Sequence, residues 1–337
     1  MRFGKIDNFI LMGQGEVLFR LAKILKQRSY SLFVVISPRD RKDQIRVNNN
    51  FCNLEDVLKA ESIDFIVSED ANNDKILKTK ITPNTIGISI GATWIFKASF
   101  IKLFDGKLVN LHGTRLPQDR GGGGFSWRIL RGERIGYSVI HKIDGGVDTG
   151  AILKFKEYVY PHSCHLPLDY QQYSAAKYIE LLEEFIKELE DDTEFYEISQ
   201  PEYLSAYWPR LSTDVHGYIN WSWELEDIDR FICAFDDPYR GATTFINGIR
   251  VRIKKSSIWF GDGAFHPFQK GIIYRIANGN LFVATESGTL IISQIEDDSG
   301  NSLIEKIKVG DRFYTPFEHL EKAMQFRAVY TPLGLKQ

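Results

Sequence analysis

The 337-residue sequence predicts an α/β chain, with a mostly parallel sheet followed by a smaller antiparallel domain. Three observations carry that expectation. Apolar runs of strand length alternate with helical patterns through the first half, as they do in βα units. Beyond Asp191 the texture changes to short alternating strands separated by turn signals. The length also exceeds what one hydrophobic core usually serves, so two domains are expected.

The elements follow in order. Residues 8–12 (NFILM) read as the first strand and meet a tight turn at Gly13-Gln14-Gly15. Val17, Leu18, Leu21, Ile24 and Leu25 then recur at helical spacing. Residues 31–37, 63–68, 85–91 and 107–112 give four more strands. A helix over 125–131 and an apolar stretch at 137–143 come next. Tyr178, Leu181, Leu182, Phe185 and Leu189 repeat every three or four residues, which predicts an amphipathic helix over 170–190 covering one sheet face. An acidic, broken segment leads to a helix near 224–235 and then to strands at 242–246, 249–253, 271–276, 281–285 and 289–295. Asn247-Gly248 and Asn278-Gly279-Asn280 are hairpin signals, and the strand run suggests an open barrel. The expected division is 1–205, 206–315 and a C-terminal helix or tail over 316–337.

Composition narrows the function classes. A formal charge of −2, from 42 Lys+Arg against 44 Asp+Glu, leaves no net cationic field for holding a phosphate backbone. No apolar run approaches the roughly 18–20 residues a membrane span needs, and residues 1–16 lack a signal-peptide pattern, so the chain reads as cytoplasmic. Cys52, Cys164 and Cys233 are too few and scattered for a disulfide framework.

Several motifs have ordinary readings. The N-terminal strand, Gly-x-Gly and helix invite a dinucleotide-binding assignment, but Leu18 stands where the third glycine belongs. His162, Cys164 and His165 lack a partner pair at zinc-finger spacing, so no metal is expected. The basic stretch at 39–46 is interrupted by Asp40 and Asp43 and reads as a solvated face.

The informative stretch is 107–153. Asn110 and His112 lie two apart at the end of an apolar strand, so both project to one side at the carboxyl edge, where open α/β sheets bind ligands. Asp144 and Asp148 occupy the glycine-rich turn IDGGVDTG after another strand. Amide, imidazole and carboxylate at one crevice suit acyl transfer to an amine: amide and protonated imidazole stabilise an oxyanion, and the carboxylate sets the imidazole's charge. With no Ser or Cys nucleophile among them, direct attack by the substrate amine is favoured. A strand-end Asn-His pair bonding its own loops is the open alternative.

Asn110-Leu-His112, Leu116-Pro117, Arg120-Gly121 and then Asp148-Thr149-Gly150, about 36 residues after the histidine, resemble the formyltransferases that use N10-formyltetrahydrofolate. The segments 207–221 and 235–242 are similar to the start of the C-terminal domain of methionyl-tRNA formyltransferases and related sugar N-formyltransferases. The resemblance spans roughly residues 8–295. It implies a Rossmann-like N-terminal domain, an OB-like C-terminal one, and Asn110, His112 and Asp148 as catalytic trio. It also puts the folate against Ile90, Ala92, Trp94, Ile95 and Phe96, against Ile143, Asp144 and Gly146, and near Leu116. Thr114-Arg115 replaces the usual Ser-Leu, and 121–124 is unusually glycine-rich, but neither departure falls on the trio.

The family divides by acceptor. The usual long basic insertion after the second strand, which engages tRNA, is here the short, nearly charge-balanced 38–54. Arg250, Arg252, Lys254 and Lys255 form one basic cluster that can line a groove or face solvent. The expectation is therefore a nucleotide-linked amino sugar, dTDP-linked first, in surface polysaccharide (O-antigen) synthesis. Methionyl-tRNA is the alternative, and a non-catalytic folate- or nucleotide-binding protein the rival outside enzymes. Arg115, Arg120, Arg128 and backbone N–H groups from Gly121 onwards are the expected diphosphate contacts. A hairpin edge in the small domain can pair with a second copy, giving a homodimer.

Overall fold

The computed structural model describes residues 1–42, 44–47, 50–122, 124–331 and 334–336. Asp43 of the 39–46 stretch, Gly123 of the glycine run and three residues of the 316–337 tail therefore lie outside the described residues. Strands β1 (Asn8–Gly13), β2 (Ser31–Ile36), β3 (Phe65–Val67), β4 (Thr85–Ile90) and β5 (Leu108–His112) run parallel. β6 (Ile135–Lys142) and β7 (Ile152–Val159) join antiparallel, giving a seven-stranded sheet in the order β7-β6-β5-β4-β1-β2-β3. The parallel part is the doubly wound order, reversing direction between β1 and β4.

Alternation along the strands explains why helices cover both faces. Phe9, Leu11, Val34 and Ile36 turn to one side, against Leu18, Leu21 and Leu25 of α1 (Gly15–Gln27) and Leu181, Leu182 and Phe185 of α3 (Pro167–Glu190). Ile10, Met12, Phe33 and Val35 turn to the other, against Trp94, Phe100 and Phe104. Gly87 of β4 lies on this second face because a Cβ there would stand 2.6 Å from Leu108 Cδ1 and 2.7 Å from Phe104 Cε1. The start of α3 is fixed by Pro167 in the first turn and by Asp169, whose carboxylate accepts the Leu166 N–H at 2.9 Å.

The sequence reading missed β7, whose ILKFKEYV pattern carries Lys154, Lys156 and Glu157. The two lysines face α3 and pair with Glu184 and Glu188, so the charges belong to a covered sheet face. It also missed the hairpin of Gln44–Val47 and Asn50–Asn53.

After α2 (Gly124–Leu130) and α3, the chain passes through α4 (Leu225–Ala234) into an antiparallel sheet. Its strands are β8 (Ala242–Ile246), β9 (Ile249–Trp259), β10 (Ile273–Ala277), β11 (Asn280–Ala284), β12 (Thr289–Glu296) and β13 (Phe313–Tyr314), in the order β10-β11-β12-β9-β8-β13. β9 runs six residues past the expected end at Ile253; the polar Lys254–Ser257 stretch hides a strand that stays paired to β12. The second core, around Ile228, Ile232, Val251, Ile253 and Leu290, also takes in Ile129, Tyr160, Cys164 and Tyr170 from before residue 205. A short helix, Phe317–Gln325, follows β13, and His319 stacks on Tyr218 at 4.6 Å. Among the described residues no helix is long and apolar enough to cross a membrane.

Candidate active site

A cleft of about 1160 Å³ opens at the carboxyl ends of β1, β4 and β5, where the sheet order reverses. Asn110 and His112 of β5 both line it, as period two requires, and the turn after β6 delivers Asp148 to the same wall. Asp148 Oδ1 stands 3.7 Å from His112 Nδ1. That is an ion-pair distance, too long for a hydrogen bond, and such contacts tighten when substrate closes a site.

The partners fix the tautomers. His112 Nε2 lies 3.0 Å from the Asp119 carbonyl and 2.6 Å from Thr114 Oγ1. A carbonyl only accepts, so Nε2 carries a proton and Nδ1 is the nitrogen turned towards Asp148. Thr114, one of the two departures from the family pattern, falls on none of the trio's positions but is in hydrogen-bond contact with His112.

The residue that sequence reasoning overlooked is His141. Antiparallel pairing of β5 with β6 puts it opposite Asn110, with His141 Nε2 at 3.1 Å from Asn110 Nδ2. His141 Nδ1 donates to the Lys142 carbonyl at 2.8 Å, which leaves Nε2 to accept from the amide. Burial, with the neighbouring His112 adding to it, lowers the His141 pKa to about 4, so the ring is neutral. A lone histidine in the apolar run SVIHKI was the signal available in the sequence.

Asp148 has a left-handed backbone, φ 55°, a conformation costing on the order of 1–3 kcal/mol for a residue with a side chain unless its surroundings enforce it. Its Oδ2 accepts the Gly121 N–H at 2.9 Å. Among the described residues, the group with metal-ligand spacing is His112, His141 and Asp148, within 4.8 Å of one another, and not the 162–165 cluster. A cation there would displace the Asn110–His141 hydrogen bond.

The residues expected around the folate divide in two. Ile90, Ala92, Trp94, Ile95 and Phe96 line one lobe of the cleft, with Ile143, Asp144 and Gly146 beside them. Trp94 is held by its indole N–H, which donates to the Glu69 carbonyl at 3.1 Å. Leu116 is elsewhere, buried with Val139 and Ile152.

The expected diphosphate contacts need correction. None of Arg115, Arg120 and Arg128 lines the cleft. Arg115 is exposed on the surface. Arg120 is buried and pairs with Glu202 at 2.7 Å. Arg128, 1% exposed, lies over the rings of Tyr137 and Tyr160 and donates to the Ile135 carbonyl. Gly121 lines the cleft, but its N–H is held by Asp148, and that of Gly122 by the Trp208 carbonyl at 2.9 Å. The cleft's arginines are instead Arg39 and Arg210.

Comparison with known proteins gives two family matches: formyl transferase over residues 7–161 and formyl transferase, C-terminal domain, over 212–306. The methionyl-tRNA formyltransferase of Acetivibrio thermocellus is 29% identical over 195 residues, 58% of this chain and 61% of that enzyme, so the chain spans about three fifths of that relative's length. The GDP-perosamine N-formyltransferase of Brucella melitensis is 30% identical over 208 residues, 60% of this chain and 77% of that one. Among solved structures, an N-formyltransferase from Helicobacter canadensis, in complex with folinic acid and dTDP-3-aminofucose, superposes with TM-score 0.62 at 19% identity, covering 86% of this chain and 99% of its own. The sugar 3N-formyltransferase WlaRD also gives 0.62, at 17% identity, covering 86% and 97%.

Proposed function

This chain belongs to the formyl transferase family, and from that premise we propose that it moves a formyl group from N10-formyltetrahydrofolate to the amine of a nucleotide-linked amino sugar. The observation that carries the chemistry is the convergence of Asn110, His112 and Asp148 on one wall of a deep cleft. The acceptor amine attacks the formyl carbon. One N–H of the Asn110 amide is tied to His141, leaving the other for the oxyanion, which His112 helps to steady. Asp148, 3.7 Å from His112, takes the proton that the attacking amine gives up and passes it to the folate nitrogen as the bond between that nitrogen and the formyl carbon breaks. Trp94, Phe96 and Ile143 pack together on the cleft lining and give it an apolar surface that suits a pterin.

Charge supports the sugar acceptor. Three of the four cations in the basic cluster on β9 are paired with acids: Arg250 meets Asp298 at 2.6 Å, Arg252 meets Asp214 at 2.7 Å, and Lys254 meets Asp237 at 2.7 Å. A paired strand of this kind offers a phosphate backbone little. Arg210 and Arg39 in the cleft, the latter also 3.6 Å from Asp40, match the few charge-assisted donors that a diphosphate needs. A second reading, methionyl-tRNA as acceptor, is favoured by the identity to the Acetivibrio enzyme.

The test is to follow tetrahydrofolate release from N10-formyltetrahydrofolate with dTDP-, UDP- and GDP-linked amino sugars, using methionyl-tRNA as comparator. Turnover with a sugar nucleotide is expected, dTDP-linked first. Turnover with methionyl-tRNA alone reverses the acceptor assignment.

A further inference from the structure

Asp148 adopts its left-handed conformation in a turn rich in small residues, so something outside the turn has to hold it there. The Gln200 amide does this. Its Nε2 donates to the Asp148 carbonyl at 3.0 Å and to the Gly150 carbonyl at 2.6 Å, spanning the turn from behind. The Gln200 carbonyl oxygen faces Arg120 Nε at 3.4 Å, and Arg120 Nη1 is in turn fixed by Glu202 at 2.7 Å. Gln200 lies 52 residues beyond Asp148 and does not line the cleft. One donor group serves two carbonyls of the strained turn, and an arginine–glutamate pair orients that donor.

We infer that Gln200 is a positioning residue that keeps the Asp148 carboxylate beside His112 through the backbone carbonyls of Asp148 and Gly150. Arg120, first assigned by sequence to a phosphate, acts one step further out by orienting Gln200. The inference rests on the formyl-transfer reading for its kinetic consequence and on geometry alone for its structural one. Displacing a catalytic group by about 1 Å can cost on the order of 100-fold in rate, so a loosened turn acts chiefly on kcat.

The test uses Gln200→Ala and the near-isosteric Gln200→Glu, whose carboxylate fills the same space but cannot donate. Amide exchange of the full chain without substrate is expected to rise in both variants at 144–150, with the β8–β13 sheet unchanged. With whichever of the dTDP-, UDP- and GDP-linked amino sugars or methionyl-tRNA supports wild-type turnover, kcat is expected to fall about 10- to 100-fold, a larger change than in the KM for N10-formyltetrahydrofolate, since Asp144 and Gly146 of the same turn also line the cleft. Wild-type exchange and turnover in Gln200→Glu would overturn the inference. So would an unchanged kcat in Gln200→Ala alongside a lowered Tm, which marks a purely structural contact. If wild-type protein turns over none of these acceptors, the formyl-transfer reading is what fails, and exchange at 144–150 still decides the clasp.

Discussion

Asn110 Nδ2 lies 3.1 Å from His141 Nε2, so the amide that faces the cleft is anchored from behind by a neutral, almost fully buried imidazole. The pair joins strands that are adjacent in the sheet but 31 residues apart in sequence. Asn110 thereby presents its remaining N–H in one orientation, which a transition-state donor requires.

Asn110→Ala, His112→Asn and Asp148→Asn are each expected to lower kcat by about two or more orders of magnitude, the scale of a lost oxyanion donor or acid–base group. Steady-state kinetics on folded variants checks this. Near-wild-type turnover in His112→Asn contradicts the assigned roles.

His141 should make stability depend on pH. Its pKa falls from 6.5 to about 4 on folding, so the unfolded chain binds a proton more readily between those values. The contribution is fully present above about pH 6.5 and is lost as pH drops towards 4. The fall in Tm between about pH 7 and pH 4.5 is expected to be smaller for His141→Gln than for wild type. Parallel curves would assign the acid sensitivity to other groups.

Arg39→Ala and Arg210→Ala are each expected to raise the acceptor KM about tenfold, the value of one charge-assisted contact, with the folate KM unchanged. Arg115→Ala, on the surface, should change neither. If Arg115→Ala raised the acceptor KM and Arg210→Ala did not, the original sequence-based assignment would be restored.

Gly87→Ala should destabilise the first sheet by about 1–3 kcal/mol, because the added methyl meets Leu108 and Phe104 well inside contact distance. Denaturant unfolding measures this. Turnover per folded molecule should stay near wild type, since Gly87 does not line the cleft.

Much of this architecture was legible because local pattern determined it. The apolar runs of β1, β2, β4 and β5 can only be buried strands, and a two-residue offset is enough to put Asn110 and His112 on one side. Asp148 was legible through its glycine-rich turn. His141 and Gln200 were not: each matters through a partner delivered by strand register or by a distant segment, and neither is written into local periodicity. Arg128 misled for a related reason. Its neighbourhood in sequence is the glycine-rich loop, whereas its neighbourhood in space is two tyrosine rings and the Ile135 carbonyl. Arg128 is therefore a buried charge and not a donor to the cleft.

Ile129, Tyr160, Cys164 and Tyr170 lend their side chains to the second core although they precede residue 205 in the chain. The two halves are therefore poor units for exchange. A graft cut at 205 would strand these four apolar groups in water, at about 1.5–3 kcal/mol for each large one, and would leave the incoming sheet with a hollow of the same shape. Exchanging the C-terminal half between relatives would require the 125–170 segment to travel with it. That segment holds the part of α2 that borders the cleft and also His141 and Asp148, so the graft would carry much of the cleft wall with it.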